Sequence, residues 1–330
     1  MKIKRFLLGM LLAACALMPA GCGMAAAKKE SVVGFYFDTV ITLTAYVEDV
    51  SVLNDALSDC ERYEALLSRT VQGSDVYRIN HAGGKPVQVS QDTLEILRTA
   101  REVSELSGGA FDVTIAPVST LWDFTSGAAV LPDARALAEG AEKVDYTQVR
   151  IDGDTVTLPE GMMIDLGGIA KGYIADAVKA SLVKRGVTSA ILSFGGNIVA
   201  IGVRPDGSPW RVGIQDIDKP TGAYMLVAEN AGGSTVTRGI YERGFELDGT
   251  YYHHILDPNI GWPAQNELAS VTIFSESSMW GDALATAAFV LGAEAGTELI
   301  EGLDGIEAVF IARDRSVRCT SGAKAYLMDK

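Results

Sequence analysis

"IDLGGIAKGYIADAVKASLVKRGVTSAILSFGGNIVAIGV", residues 164–203, decides the fold class. An apolar run closes on Asp165, and Gly167 and Gly168 turn the chain. A helical pattern then runs from about Ile169 to Lys184 and stops at Gly186. From Ser189 an apolar, β-branched run begins a second strand. A strand, turn, helix and strand in close succession predict an α+β or mixed α/β domain, with mixed β-sheets flanked by helices.

The flanking sequence extends this pattern. "VGFYFDTVITLTAYV" (33–47) is rich in β-branched and aromatic residues and predicts a strand. "SVLNDALSDCERYEALLSR" (51–69) has helical apolar spacing, with Ser51 placed to cap it. Ser90 is placed to cap a second helix, whose stripe of Leu94, Leu97, Ala100 and Val103 ends at Gly108-Gly109. Asp152-Gly153 marks a hairpin turn, and further strands are expected at 210–216, 223–229, 268–274 and 306–312. No repeat or linker divides the chain, so residues 31–330 are read as one compact domain of two packed halves.

Composition narrows the function. The chain has 330 residues, 48% of them apolar, and a formal net charge of −14, which suits a globular protein and disfavours nucleic acid as a partner. Lys2, Lys4 and Arg5 precede "FLLGMLLAACALMPAG", so residues 1–21 read as a lipoprotein signal peptide. Cys15 and Cys22 compete as the lipidated residue. Cys22 ends the better-sized apolar segment, although Pro19 is unusual so close before it; an ordinary cleaved signal is the alternative. Residues 22–30 then form a tether. Loss of the three positive charges leaves −17 on an exported domain, lipid-anchored to the cell membrane and facing outside the cytoplasm. Cys60 and Cys319 neither demand nor exclude a disulfide, and no CxxC spacing suggests a thiolate metal site.

Four stretches carry candidate chemistry. In "WGDALATAAFVLG" (280–292) an apolar helix holds Asp282 and Thr286 four apart, on one face. Either they sit near the helix start, with Thr286 bonding its i−4 carbonyl, or they hold a hard cation such as Mg²⁺. In "DLGGIAKG" (165–172) the glycines are either a plain turn or a cradle for phosphate at a helix N-terminus. Lys171 in the first helical turn favours the cradle, because the dipole there disfavours a cation unless an anion is bound. "TYYHHILDPNIGWP" (250–263) places adjacent histidines on an extended chain, so either one of the two faces a site, suited to general-base work, or both are solvent-facing loop residues. "GGAFDVTIAPVSTLWDF" (108–124) offers Phe111, Trp122 and Phe124 either to a flat ring or to the core, with Trp122 assigned to the core.

Taken in order with "FDTVITLTAY", "LSFGGNIVAIG", "PWRVGIQD" and "TVTRGIYER", these stretches resemble the ApbE family of FAD:protein FMN transferases over nearly the whole exported chain. The resemblance implies cleavage of FAD at its pyrophosphate, Mg²⁺-dependent transfer of FMN to a Thr or Ser hydroxyl of a target flavoprotein, and release of AMP. It implies Mg²⁺ ligands at the Gly168 carbonyl, Asp282 and Thr286, and an acceptor-activating base at His254. Asp165, Lys171, Ile255, Ala110, Phe111 and Asp112 match flavin- or adenine-contacting positions, and Phe37 and Thr70 fall near two more. Implied acceptors are electron-transport flavoproteins of the Rnf or Nqr type, or exported reductases. An FAD-binding lipoprotein, or an FAD pyrophosphatase that flavinylates nothing, is the alternative. Two departures stand out: the family's "TSG" is "TRG" here, with Arg238 in place of a small residue, and Ala285 stands where some members carry a second Asp. On this reading Asp282→Ala stops transfer and leaves the fold intact.

Overall fold

The computed structural model describes residues 27–328. Residues 1–21, expected to be a signal peptide, and the candidate lipidation residues Cys15 and Cys22 lie outside the described residues. An eight-stranded sheet forms the framework, from Lys28–Tyr36, Thr39–Val47, Ala190–Phe194, Asn197–Ile201, Gly233–Gly239, Leu268–Ser275, Glu307–Ala312 and Val317–Cys319. The strands lie side by side in chain order, and every neighbouring pair is antiparallel. The fold is therefore α+β, and its sheet is antiparallel rather than mixed in direction. The long excursions between strands return to the next free edge, so no parallel crossover is required.

The first part of the 164–203 segment explains that difference. The apolar run that closes on Asp165 does not join the large sheet. Met163 makes an isolated parallel bridge to Ile115, and the Asp165 amide donates to the Val113 carbonyl at 2.7 Å. The helix follows as expected, at Ala170–Lys184, and the strand after it pairs in a tight hairpin with Asn197–Ile201. Residues 33–47, read as one strand, are parts of two. Phe37 and Asp38 both take φ of 55° and turn the chain without a glycine, which hid the hairpin in the sequence. Its first strand starts at Lys28, inside the stretch read as tether. Ser51 is not a cap: Val50 occupies that position, and the Ser51 amide and hydroxyl both donate to Asp49, at 2.9 and 2.6 Å. Ser90 does cap Gln91–Leu106, accepting from the Thr93 amide at 3.1 Å.

The sheet is covered on both faces. One face packs against the helices, through Leu43, Leu192, Val271 and Ile273. The other packs against the hairpin of Trp210–Gln215 and Tyr224–Asn230, through Ile214, Phe274 and Ile311. This explains why Leu268–Ser275 is buried at every position and reads as a continuous run instead of an alternating one.

Two helices fix the site. Ala170–Lys184 crosses the start of Ser278–Glu301 at Gly172, where any side chain would collide with the Ser278 carbonyl. Each helix caps the other. Asp176 of the first accepts from the Ser277 hydroxyl and from the Ser278 and Met279 amides, at 2.7, 2.9 and 3.0 Å. Asp282 of the second accepts from the Gly172 amide at 3.0 Å, where Ile169 offers no capping side chain. Ser278–Glu301 is long enough to cross a membrane and has mean hydropathy 1.4. In the fold it is a core helix, broken at Gly292 (φ 82°), where Asn266 donates to the Phe289 carbonyl and Glu267 accepts from the Ala293 amide.

Candidate active site

A cavity of about 930 Å³ opens between the Gly167–Gly168 turn, the Phe37–Asp38 hairpin tip, the 68–71 loop and the segment around His254. That is near the upper end for small-ligand sites, roughly 300–1,000 Å³, and suits a ligand of dinucleotide size.

At its floor the Gly-Gly turn is held from below. Asp165 accepts from the Gly167 amide and the Ser119 hydroxyl, both at 2.9 Å, and Arg69 lies 3.4 Å away. The Phe111 ring fills the space that a side chain on Gly168 would need. Lys171 Nζ donates to the Gly167 carbonyl at 3.2 Å. Its ammonium is pushed down to about 8, chiefly by desolvation and then by the neighbouring Arg238 charge. Arg238 Nη2 donates to the same Gly167 carbonyl at 3.0 Å and to Asp282 at 2.5 Å.

The histidine pair divides as the extended chain requires. His253 is fully buried, lies edge-on to Phe289, and among the described residues has no hydrogen-bond partner on either ring nitrogen. Burial pushes it down to about 4, so it is a neutral core residue. His254 lines the cavity, and its Nδ1 lies 3.2 Å from the Arg243 carbonyl. A carbonyl only accepts, so Nδ1 carries the proton and the Nε2 lone pair is left open, 4.0 Å from Glu242. Desolvation, then Arg238, pushes His254 down to about 3. Glu242 is pushed up by desolvation, with Arg238 and Lys171 opposing.

An aromatic wall completes the cavity. Trp122 and Phe124 stack at 5.2 Å and 8°, backed by Phe245, Tyr252 and Trp262. Trp122 donates Nε1 to the Gly261 carbonyl at 2.9 Å and is mostly buried, in line with its assignment to the core.

Phe37, Thr70, Ala110, Phe111, Asp112, Asp165, Gly168, Lys171, His254, Ile255 and Thr286 all line this one cavity, although they come from six separate stretches of chain. Asp112 contributes shape. Its carboxylate is spent on the Thr114 amide and hydroxyl and on the Tyr146 amide, at 2.7, 2.6 and 2.9 Å. Asp282 is not in the wall: it is 0% exposed, with one oxygen on Gly172 and the other on Arg238. Thr286 donates to the Asp282 carbonyl at 3.3 Å, the back-bonding alternative. The Gly168 turn and the Asp282–Thr286 turn do adjoin, but the carboxylate between them already carries a cation. Among the described residues no group of three His, Cys, Asp or Glu is placed to hold a metal ion. Arg69, Ser119, Glu242 and Arg243 also line the cavity and had no role in the sequence reading. Glu242 and Arg243 were visible in "TVTRGIYER", whose charges had no assigned position.

Residues 37–310 match the ApbE family. The chain belongs to that family. Its ApbE relatives include the FAD:protein FMN transferase of Treponema pallidum, 36% identical over 289 residues, covering 82% of this chain and 80% of the relative. The FAD:protein FMN transferase of Klebsiella pneumoniae is 35% identical over 285 residues, covering 85% and 88%. Among solved structures, the ApbE protein of Thermotoga maritima superposes with a TM-score of 0.84 at 27% identity, covering 92% of this chain and all of that one. The flavin transferase ApbE of Vibrio cholerae gives 0.82 at 27%, covering 91% and 100%. The ApbE-like architecture expected from the sequence is the one found.

Proposed function

We propose that this chain is an FAD:protein FMN transferase that moves FMN from FAD to a Thr or Ser hydroxyl of an acceptor flavoprotein and releases AMP. The observation that carries this is the meeting, in one cavity, of a glycine turn flanked by Lys171 and Arg238 with an open His254 Nε2. The turn and the two cations suit a diphosphate. The acceptor hydroxyl oxygen attacks the FMN phosphorus and its proton passes to His254 Nε2. The bond from that phosphorus to the bridging oxygen breaks, and AMP leaves with that oxygen. Lys171 and Arg238 offset the charge on the transferred and leaving phosphates, which is most of what such a reaction needs from a protein.

Mg²⁺ is the ion that the family resemblance implies, at Gly168, Asp282 and Thr286. With Asp282 fully buried and its charge already paired with Arg238, these groups do not fit it, and no step is drawn through the ion. The lipoprotein-type N-terminus supports a lipid anchor at Cys22, outside the cytoplasm. Acceptors would then be electron-transport flavoproteins on the same membrane face, Rnf or Nqr subunits or exported reductases.

The test is to incubate the protein with FAD and a Thr-bearing acceptor domain. Flavin fluorescence on the acceptor band and one AMP per labelled acceptor are expected. AMP without labelling would support the pyrophosphatase instead, and no FAD binding would end this reading. A second expectation concerns pH. Lys171 loses its charge as pH rises through about 8 instead of the usual lysine range, and an anionic ligand binds the charged form. FAD affinity therefore falls above pH 8, by up to roughly tenfold per unit. Lys171→Gln binds FAD more weakly at pH 7 and loses this slope; fluorescence titrations from pH 6.5 to 9.5 check both.

A further inference from the structure

We propose that Arg238 supplies, from within the chain, the positive charge that a divalent cation would bring to Asp282, so that the diphosphate site operates without a resident metal ion. The identity of the diphosphate as that of FAD rests on the function proposed above; the absence of a tight metal site does not.

The argument starts from what Asp282 needs. A carboxylate with no exposure to solvent requires a counter-charge and a donor on each oxygen. It has both: the Gly172 amide at one oxygen, and Arg238 Nη2 at 2.5 Å on the other. Arg238 is itself only 6% exposed, so this is a buried pair and not a surface contact.

The position of the guanidinium is more telling than its charge. Nη2 also donates to the Gly167 carbonyl at 3.0 Å. One group therefore ties the Asp282 helix to the glycine turn, the two segments that a metal ion at this site would have to join. Any cation binding between them would have to displace the guanidinium from its carboxylate, or sit beside it against like-charge repulsion. Guanidinium is charged at every working pH and cannot be removed by chelation. Arg238 also keeps capacity for a ligand. It lines the cavity, and of the five N–H groups of its fork only those on Nη2 are engaged by Gly167 and Asp282 among the described residues. Lys171, on the same Gly167 carbonyl, gives the cavity a second cation that no carboxylate among the described residues pairs with at hydrogen-bond distance. Asp282 takes up part of the Arg238 charge, and Lys171 together with the unspent N–H groups of Arg238 remains for the phosphates.

The closing experiment uses Mn²⁺ as a spectroscopic stand-in for Mg²⁺, on the soluble chain lacking its signal peptide. Wild type should show no saturable Mn²⁺ site by electron paramagnetic resonance, with or without FAD. It should bind FAD equally well in EDTA and in millimolar Mg²⁺, and its melting temperature should ignore both. Arg238→Ser vacates one carboxylate oxygen. It should melt lower than wild type, gain one Mn²⁺ site, recover melting temperature as Mn²⁺ is added, and bind FAD about tenfold tighter with Mg²⁺ than in EDTA, an ordinary coupling between adjacent sites. One saturable Mn²⁺ per wild-type chain, or a tenfold loss of wild-type FAD affinity in EDTA, overturns the proposal. The wild-type measurements decide the matter even if Arg238→Ser does not fold. A chain that binds no FAD would sink the functional reading and leave the Mn²⁺ titration to decide this one in the same two directions.

Discussion

Asp282→Ala is expected to destabilise the protein by about 3–5 kcal/mol, the usual cost of removing one partner from a buried ion pair. The sequence alone suggested loss of a metal ligand that stops transfer and leaves the fold intact. The fold gives the carboxylate two structural tasks. It pairs with Arg238, which would be left charged and almost fully buried, and it accepts the Gly172 amide at the uncapped start of Ala170–Lys184. The second task adds about 1 kcal/mol by itself. Against a total stability of roughly 5–15 kcal/mol, the loss is enough to leave part of the population unfolded at growth temperature. Urea unfolding of wild type and variant measures it. Asp282→Asn, which keeps an acceptor for Gly172, should cost less. Arg238→Met placed on Asp282→Ala should recover part of the loss, because it removes the unpaired charge. Equal stability of Asp282→Ala and wild type would refute the pairing and revive the view of Asp282 as a metal ligand with no task in the fold.

Much of the fold was legible where local chemistry and the final structure agree. The Gly186 stop, the Ser90 cap and the strands near 210, 224, 268 and 307 all follow from short-range signals. The Phe37–Asp38 turn was not legible, because it takes positive φ at two residues of which neither is glycine. The direction of the sheet was not legible either. Strand 233–239, which completes the run of neighbours, carries Ser, Thr and Arg and has little apolar pattern. The candidate site was readable in its parts, since His254, Lys171 and the glycine turn each break the pattern of their surroundings. The partner of Asp282 was not, because Arg238 is 44 residues away and only the sheet brings it near. Asp282 does meet a helix N-terminus, but that of the neighbouring Ala170–Lys184 and not of its own helix.

His254→Ala is expected to lower acceptor flavinylation by roughly 10²–10⁴-fold, the range for loss of a positioned general base, while FAD affinity changes little. The prediction follows from the tautomer. The Arg243 carbonyl holds the Nδ1 proton, so Nε2 faces the cavity as a proton acceptor. Desolvation and Arg238 hold His254 near 3, far below an ordinary histidine. Its neutral form is thus present at all pH values above that and is lost only below it. Protonation of His254 in the free protein should therefore cut no acid limb into the profile between pH 5 and 7, where an unperturbed histidine would. A base with so low an affinity for protons is weak, and the negative diphosphate, once bound, raises it by opposing the Arg238 and Lys171 charges that depress it. The affinity for protons at His254 thus rises only when substrate is in place, which suits a base that must ignore water in the empty cavity. Single-turnover labelling of an acceptor domain, with flavin titrations beside it, separates the roles. Lost FAD binding would make His254 a binding residue, and unchanged labelling would remove it from the chemistry. His253→Leu supplies the control: it exchanges a buried ring with no hydrogen-bond partners for an apolar side chain and should leave transfer near wild type.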